Sequence, residues 1–150
     1  RMGEKVYHGA DLSTLNRITV GQVFNPQPDL VTEEMDLNQI LSLLKISRYN
    51  DLPVTDREGR FLGMISFQDL RTTLMESDLA PLILARDVLR EDIPTVHPEN
   101  TLLQALDRFG IHDLDHLPVV DSADSGRLLG ILSRSDVMTR YNKEILLNTE

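Results

Sequence analysis

Two short phrases in this 150-residue chain carry side chains suited to holding a ligand, Ser66-Phe-Gln-Asp69 and Ser133-Arg-Ser-Asp136. Each Ser closes a β-like run and opens a helical one, so its hydroxyl falls at a helix start, where unpaired backbone N–H groups favour phosphate or ribose oxygens. The Asp three residues on can accept from both hydroxyls of a ribose. The same spacing also serves folding alone, since a Ser N-cap followed by an acid three residues later approximates a capping box. Residue types and spacing leave both readings open.

Each phrase ends a longer one that the chain repeats. Leu52-Pro-Val-Thr-Asp56 and Phe61-Leu-Gly-Met-Ile-Ser66 return as Leu117-Pro-Val-Val-Asp121 and Leu128-Leu-Gly-Ile-Leu-Ser133. The second copy is two residues longer in the turn between the runs, and an insertion in a turn with matched strands on both sides marks a repeated structural unit. Upstream, Asp36 is a suitable cap for a helix whose apolar residues Leu37, Ile40, Leu41 and Leu44 share one face. Thr101 with Leu102, Ala105, Leu106 and Phe109 repeats that arrangement. Hairpins over Leu52–Ile65 and Leu117–Ser133 follow, and then helices over Phe67–Met75 and from Arg134, the latter fraying beyond Lys143. Leu30–Thr32 and Ile93–Val96 read as short extended segments. The chain thus divides into a lead-in (1–19), a first repeat (20–76), a connector (77–87), a second repeat (88–142) and a tail (143–150). The expected fold is α+β, two pseudo-twofold-related repeats, each a three-stranded sheet with two helices. One repeat is too small to bury both helices, and the apolar connector is unlike a flexible tether, so the repeats should share one body.

Composition excludes several classes. A net charge of −9 disfavours nucleic acid and anionic lipid, which are held by clustered Lys and Arg. Without cysteine there are no disulfides, thiol nucleophiles or zinc thiolates. No apolar run approaches a bilayer span, and no catalytic motif emerges, so an enzyme is disfavoured. His112-Asp-Leu-Asp-His116 has a metal-ligand spacing on a helix, but the helix should be ending there, and no metal site is expected.

The doubled order of helix, Leu-Pro-Val-x-Asp, turn, Leu-Gly-x-x-Ser-x-x-Asp resembles a tandem pair of CBS domains, a Bateman module, over about residues 20 to 142. That resemblance implies a regulatory binder of ATP, ADP or AMP with two clefts built crosswise between the repeats. Carried over, one cleft joins Leu30, Tyr49, Asn50 and Asp51 to Ser133, Arg134 and Asp136. The other joins Thr95, Val96 and the Asp115-His116 segment to Ser66 and Asp69. In the first, Tyr49 is either an aromatic platform for adenine or a helix-end packing residue, and Arg134 would supply charge for phosphate. His97 is either a strand-end residue or a phosphate contact.

Tyr49-Asn-Asp-Leu-Pro-Val, the connector Ala80-Pro-Leu-Ile-Leu-Ala-Arg-Asp-Val and the closing Ser135-Asp-Val-Met-Thr-Arg-Tyr-Asn-Lys are similar to the cytoplasmic tail of bacterial ClC-type chloride channels and transporters. On that resemblance the module would lie in the cytoplasm, attached to an inner-membrane transport domain, and would form a homodimer through its helices. Two alternatives stand beside it: a ligand-independent dimerisation module, and a CBS module serving another transporter or an enzyme.

Overall fold

The computed structural model describes residues 9–147 apart from 113 and 125. In chain order the elements are α1 (Gly9–Arg17), a 3-10 turn (Val20–Gln22), β1 (Val31–Thr32), α2 (Leu37–Ile46), β2 (Asp51–Thr55), β3 (Phe61–Ser66) and α3 (Phe67–Thr73). A 3-10 run (Leu74–Leu82) and α4 (Ala85–Val88) lead to α5 (Leu102–His112), β4 (His116–Val120), β5 (Leu128–Ser133) and α6 (Arg134–Leu147).

The expected caps form. Asp36 Oδ1 accepts from the Gln39 N–H, and Gln39 Oε1 from the Asp36 N–H, both at 2.9 Å. Thr101 and Gln104 make the same reciprocal pair at the start of α5. These boxes satisfy donors that a helix start otherwise leaves unpaired, and they fix where the apolar stripe begins. Leu37 and Ile40 of α2, with Leu102, Ala105 and Phe109 of α5, are buried as a result.

In the first sheet β1 runs parallel to β2 and β2 antiparallel to β3. The second sheet is the β4–β5 hairpin, with its third strand reduced to one parallel bridge between Val96 and Val119. Pro94 and Pro98 flank that bridge and lack the N–H that a longer ladder needs, which explains the departure from three full strands. In both hairpins the residue before Leu-Pro-Val stands opposite the closing Ser, Asp51 against Ser66 and His116 against Ser133.

Residues 9–17, expected as featureless lead-in, form α1, which puts Leu15 into the core. One turn of apolar residues was too short to show a period. The core has two parts. One gathers α2, β1–β3 and α3 around Leu37, Ile40, Leu52, Ile65 and Leu70, and takes in Ala80 and Ala85 from the connector. The other gathers α5, β4, β5 and α6 around Phe109, Leu117, Leu132 and Val137, and takes in Leu15 and Ile18 from ahead of the first repeat and Val20 from its first position. The segment leading into each repeat is therefore packed into the other.

Backbone pairing repeats that exchange. Arg90 and Met64 exchange N–H···O bonds of 2.8 and 3.0 Å, and Asn25 and Ile131 do so at 2.8 and 2.9 Å. The glycine of each repeated phrase lies under the crossing. A Cβ on Gly63 would collide with the Arg90 carbonyl oxygen, and one on Gly130 with the Asn25 carbonyl oxygen and the Phe24 ring. The hairpin turns are joined as well, by Phe61 N–H to Gly126 O at 2.6 Å and Leu128 N–H to Gly59 O at 3.0 Å. Helix α6 continues to Leu147, past the expected fraying point, helped by an Arg140–Glu144 pair of 3.1 Å at i,i+4 spacing. Among the described residues no helix is long and apolar enough to cross a membrane.

Candidate functional site

The strand register brings the two repeats together at Asp51 and His116. Each is the first residue of its strand, and His116 Nδ1 lies 3.1 Å from Asp51 Oδ2 with both side chains half-buried. A carboxylate only accepts, so Nδ1 carries the proton of this bond. The Tyr49 ring meets the imidazole edge-on, with centroids 4.8 Å apart and planes at 71°. Its hydroxyl accepts from Asn25 Nδ2 at 3.3 Å and from Arg48 Nη2 at 3.4 Å. Tyr49 is thus both a packing residue and a wall of the space beside it.

Two clefts flank this pair. The larger, about 280 Å³, is lined by Arg48, Tyr49, His116, Ser133, Ser135 and Asp136. The smaller, about 40 Å³, is lined by Asp51, Met64, Ser66, Arg90, Ile93, Leu114 and His116. Leu114 stands in the second where Tyr49 stands in the first, so one cleft has an aromatic wall and the other an aliphatic one. The larger approaches the roughly 300 Å³ at which small-molecule pockets begin, whereas the smaller has room for a few waters.

Both Ser-x-x-Asp phrases cap helices. Ser66 Oγ accepts from the Asp69 N–H, and Ser133 Oγ from the Asp136 N–H, each at 3.0 Å. The backbone N–H groups that open the helices are held by the opposite strand ends, Phe67 N–H on Asn50 O at 2.8 Å and Arg134 N–H on Asp115 O at 2.9 Å. The capping is one-sided. In α2 and α5 the third helical residue bonds back through its side chain, whereas here the backbone N–H of Asp136 is the bonded group and its exposed carboxylate borders the larger cleft.

Tyr49, Ser133, Asp136 and His116 therefore share one cleft, and Asp51, Ser66 and His116 share the other. The remaining expected residues lie elsewhere. Asn50 lines an outer hollow of about 540 Å³ between α2 and α3, with Lys45 and Phe67. Asp69 is exposed and Leu30 is 43% exposed, and neither is among the residues lining the two clefts. Val96 is fully buried, with its N–H on Pro118 O and its carbonyl accepting from Val120 N–H, and the Thr95 carbonyl accepts from Arg108 Nη1. That segment frames the second repeat from inside, with both Val96 backbone groups and the Thr95 carbonyl already engaged.

Arg134, expected to bring charge to a phosphate, borders the outer side, a hollow of about 540 Å³ lined also by His116, Ser133, Met138 and Asn142. Its guanidinium lies 5.7 Å over the Phe109 ring and donates from Nη2 to the Phe109 carbonyl at 3.2 Å. A planar cation that stacks on an aromatic face while bonding a helix-end carbonyl is held there rather than in the cleft. The cation lining the larger cleft is Arg48. His97 bonds the Val120 carbonyl through Nδ1 at 3.0 Å, so it serves the strand end. His112 ends α5 and His116 begins β4, and among the described residues no group of three His, Cys, Asp or Glu gathers as a metal site. Sequence reading missed that Asp51 and His116 bond each other. Their equal place in the repeats was the available signal, because equivalent positions near a pseudo-twofold axis meet.

Such a body, two repeats with crossed lead-ins and a cleft on either side of their meeting point, is a tandem-repeat module. The CBS domain family model matches residues 20–76 and 85–143, and the chain belongs to the CBS-domain family as a CBS pair, a regulatory module. Its fold is similar to that of a CBS domain-containing protein of unknown function from Bacillus anthracis, with a TM-score of 0.78 and 22% identity over 89% of this chain and 99% of that one. It is also similar to CBSX2, solved in complex with AMP, with a TM-score of 0.74 and 24% identity over 85% of this chain and 98% of that one. Among curated proteins, a homoserine O-acetyltransferase from Methanohalophilus mahii is 29% identical over 133 residues, 88% of this chain. The chain spans 26% of that relative's length.

Proposed function

We propose that this chain senses adenine nucleotide, taking AMP, ADP or ATP in the cleft of Tyr49, His116, Ser133 and Asp136. The carrying observation is the one-sided cap of α6. The Ser133 hydroxyl holds the Asp136 N–H, while the Asp136 carboxylate stays on the rim of the cleft that the Tyr49 ring also lines, where a ribose donates two hydrogen bonds to it and adenine finds an aromatic face. The start of α6 also turns the positive end of its dipole toward the bound phosphate. A relative solved with AMP supports the same ligand class.

Occupancy regulates an attached domain only if affinity differs between two arrangements of the pair. The attachment is a proposal in its own right. The connector and tail phrases support a cytoplasmic module of an inner-membrane chloride channel or transporter, whereas the curated relative described above is an enzyme. The reading frame ahead of Arg1 decides between them: a series of apolar helices supports the transport protein, and a catalytic domain replaces it.

Calorimetric titration with ATP, AMP and a non-adenine nucleotide tests the ligand. Saturable binding of the adenine ligands, lost in Asp136→Ala, is expected. Binding that survives Asp136→Ala together with Asp69→Ala sinks the clamp. A second reading, a dimerisation module, is supported by Ile46 and Ile111, which lie in the last turns of α2 and α5 at equivalent positions and are 81% and 71% exposed. A homodimer through these helices is compatible with both readings, and no adenine binding at all would leave assembly as the role.

A further inference from the structure

Arg134 is the first residue of α6, and its neighbours on both sides, Ser133 and Ser135, line the larger cleft. Its own side chain borders the outer hollow of about 540 Å³, which shares Ser133, Ser135 and His116 with that cleft. The guanidinium is unevenly satisfied. Nη2 bonds the Phe109 carbonyl and the ring lies beneath, whereas Nε is buried with no hydrogen-bond partner among the described residues. None of the ion pairs among those residues includes Arg134. A buried donor without an acceptor is costly, and more so on a charged group. The position is also easily vacated. The Phe109 carbonyl accepts from the Leu114 N–H at 3.1 Å as well, so it keeps a partner when the guanidinium leaves. What is given up is one neutral acceptor and a ring face, against which a phosphate offers a charge-assisted, bidentate bond that takes up Nε.

We infer that Arg134 is the phosphate-reading residue of this chain: a nucleotide in the larger cleft draws its guanidinium off Phe109, along the wall that hollow and cleft share, to bond the phosphate through Nε and one Nη. This rests on the nucleotide reading and names the residue that separates a phosphorylated nucleoside from an uncharged one. The helix start suits that meeting, because the α6 dipole favours the same anion. Arg48, the cation already lining the cleft, is engaged with Tyr49, its guanidinium 5.6 Å from the ring centre and Nη2 3.4 Å from the hydroxyl, so it belongs to the aromatic wall. The first repeat has no counterpart. Phe67 opens α3 as Arg134 opens α6, and it carries no charge.

AMP and adenosine are titrated calorimetrically into the wild-type chain, Arg134→Gln and Arg48→Gln, and the Arg134 Nε–H signal, assigned by its loss in Arg134→Gln, is followed by NMR in the wild type. The ratio of AMP to adenosine affinity should fall about tenfold in Arg134→Gln, the effect of one charge-assisted bond, with adenosine unchanged. Arg48→Gln should leave that ratio as in wild type. AMP should shift the Nε–H signal and adenosine should not, a difference that a side chain merely packed on Phe109 does not produce. A ratio unchanged in Arg134→Gln, or lowered as far in Arg48→Gln, overturns the role while the nucleotide reading stands. Should Arg134→Gln lose both ligands, the wild-type signal decides, and one that responds alike to AMP and adenosine overturns the role. A wild-type chain that binds neither ligand overturns the two together.

Discussion

Asp51 and His116 hold the same position in the two repeats, 65 residues apart, and bond to each other at 3.1 Å. Position was duplicated and chemistry was not: one copy has an acceptor where the other has an ionisable donor. Their meeting separates two clefts of unequal size, about 280 Å³ on the side with Tyr49 and about 40 Å³ on the other.

Capping and ligand holding can be separated within one phrase. Ser133→Ala removes the acceptor for the Asp136 N–H and should cost about 1 kcal/mol of stability, read as a lower urea midpoint. Asp136→Ala leaves that bond in place, so its midpoint should stay near wild type while AMP affinity falls at least tenfold. Equal AMP affinity in Asp136→Ala and wild type would refute the clamp.

Tyr49 offers a ring and a hydroxyl with different duties. Tyr49→Phe keeps the edge contact with His116 and loses the bond from Asn25, so it should retain most AMP affinity. Tyr49→Ala should lose about 1–3 kcal/mol of binding, the range for a base stacked on an aromatic side chain. Calorimetry in which Phe and Ala bind equally would show that the ring is not the platform.

Gly130→Ala places a methyl group against the Asn25 carbonyl and the Phe24 ring. Neither a β-strand backbone nor its cross-repeat partner gives way easily, and a loss of about 2–3 kcal/mol is expected in denaturant unfolding. Gly63→Ala should behave alike at the Arg90 crossing. A variant as stable as wild type would mean that the crossing segment moves freely aside.

Helix-face assembly predicts a charge-sensitive dimer. Ile46→Glu with Ile111→Glu adds two carboxylates to exposed positions at the ends of α2 and α5 and removes no core contact. Sedimentation should then show a monomer with an unchanged thermal midpoint, whereas a dimer that persists would place assembly elsewhere.

The repeat, its caps and its hairpins were legible because each is written locally. Leu37 and Ile40 follow a cap at helical spacing, and Leu52 to Thr55 reads as a strand beside its turn. Tyr49, Ser133 and Asp136 were brought together by a family resemblance that supplied the crosswise pairing their own spacing lacks. What escaped was non-local. Nothing beside Arg134 signals that its guanidinium turns to Phe109, since the aromatic face and the carbonyl lie on α5. Helix α1 escaped for the same reason, because Leu15 is apolar for the sake of a core assembled more than eighty residues later.

The crossed lead-ins mean that neither half of the chain is self-sufficient. A fragment ending near Met75 would carry Leu15, Ile18 and Val20 with no core of their own to enter, and would lack Ala80, Ala85 and Arg90, which finish its sheet and helices. Two complementary fragments should recombine into the native body, and a single fragment would have to borrow closure from another molecule. The cut between the repeats is the place where sequence similarity invites two domains and the packing permits one.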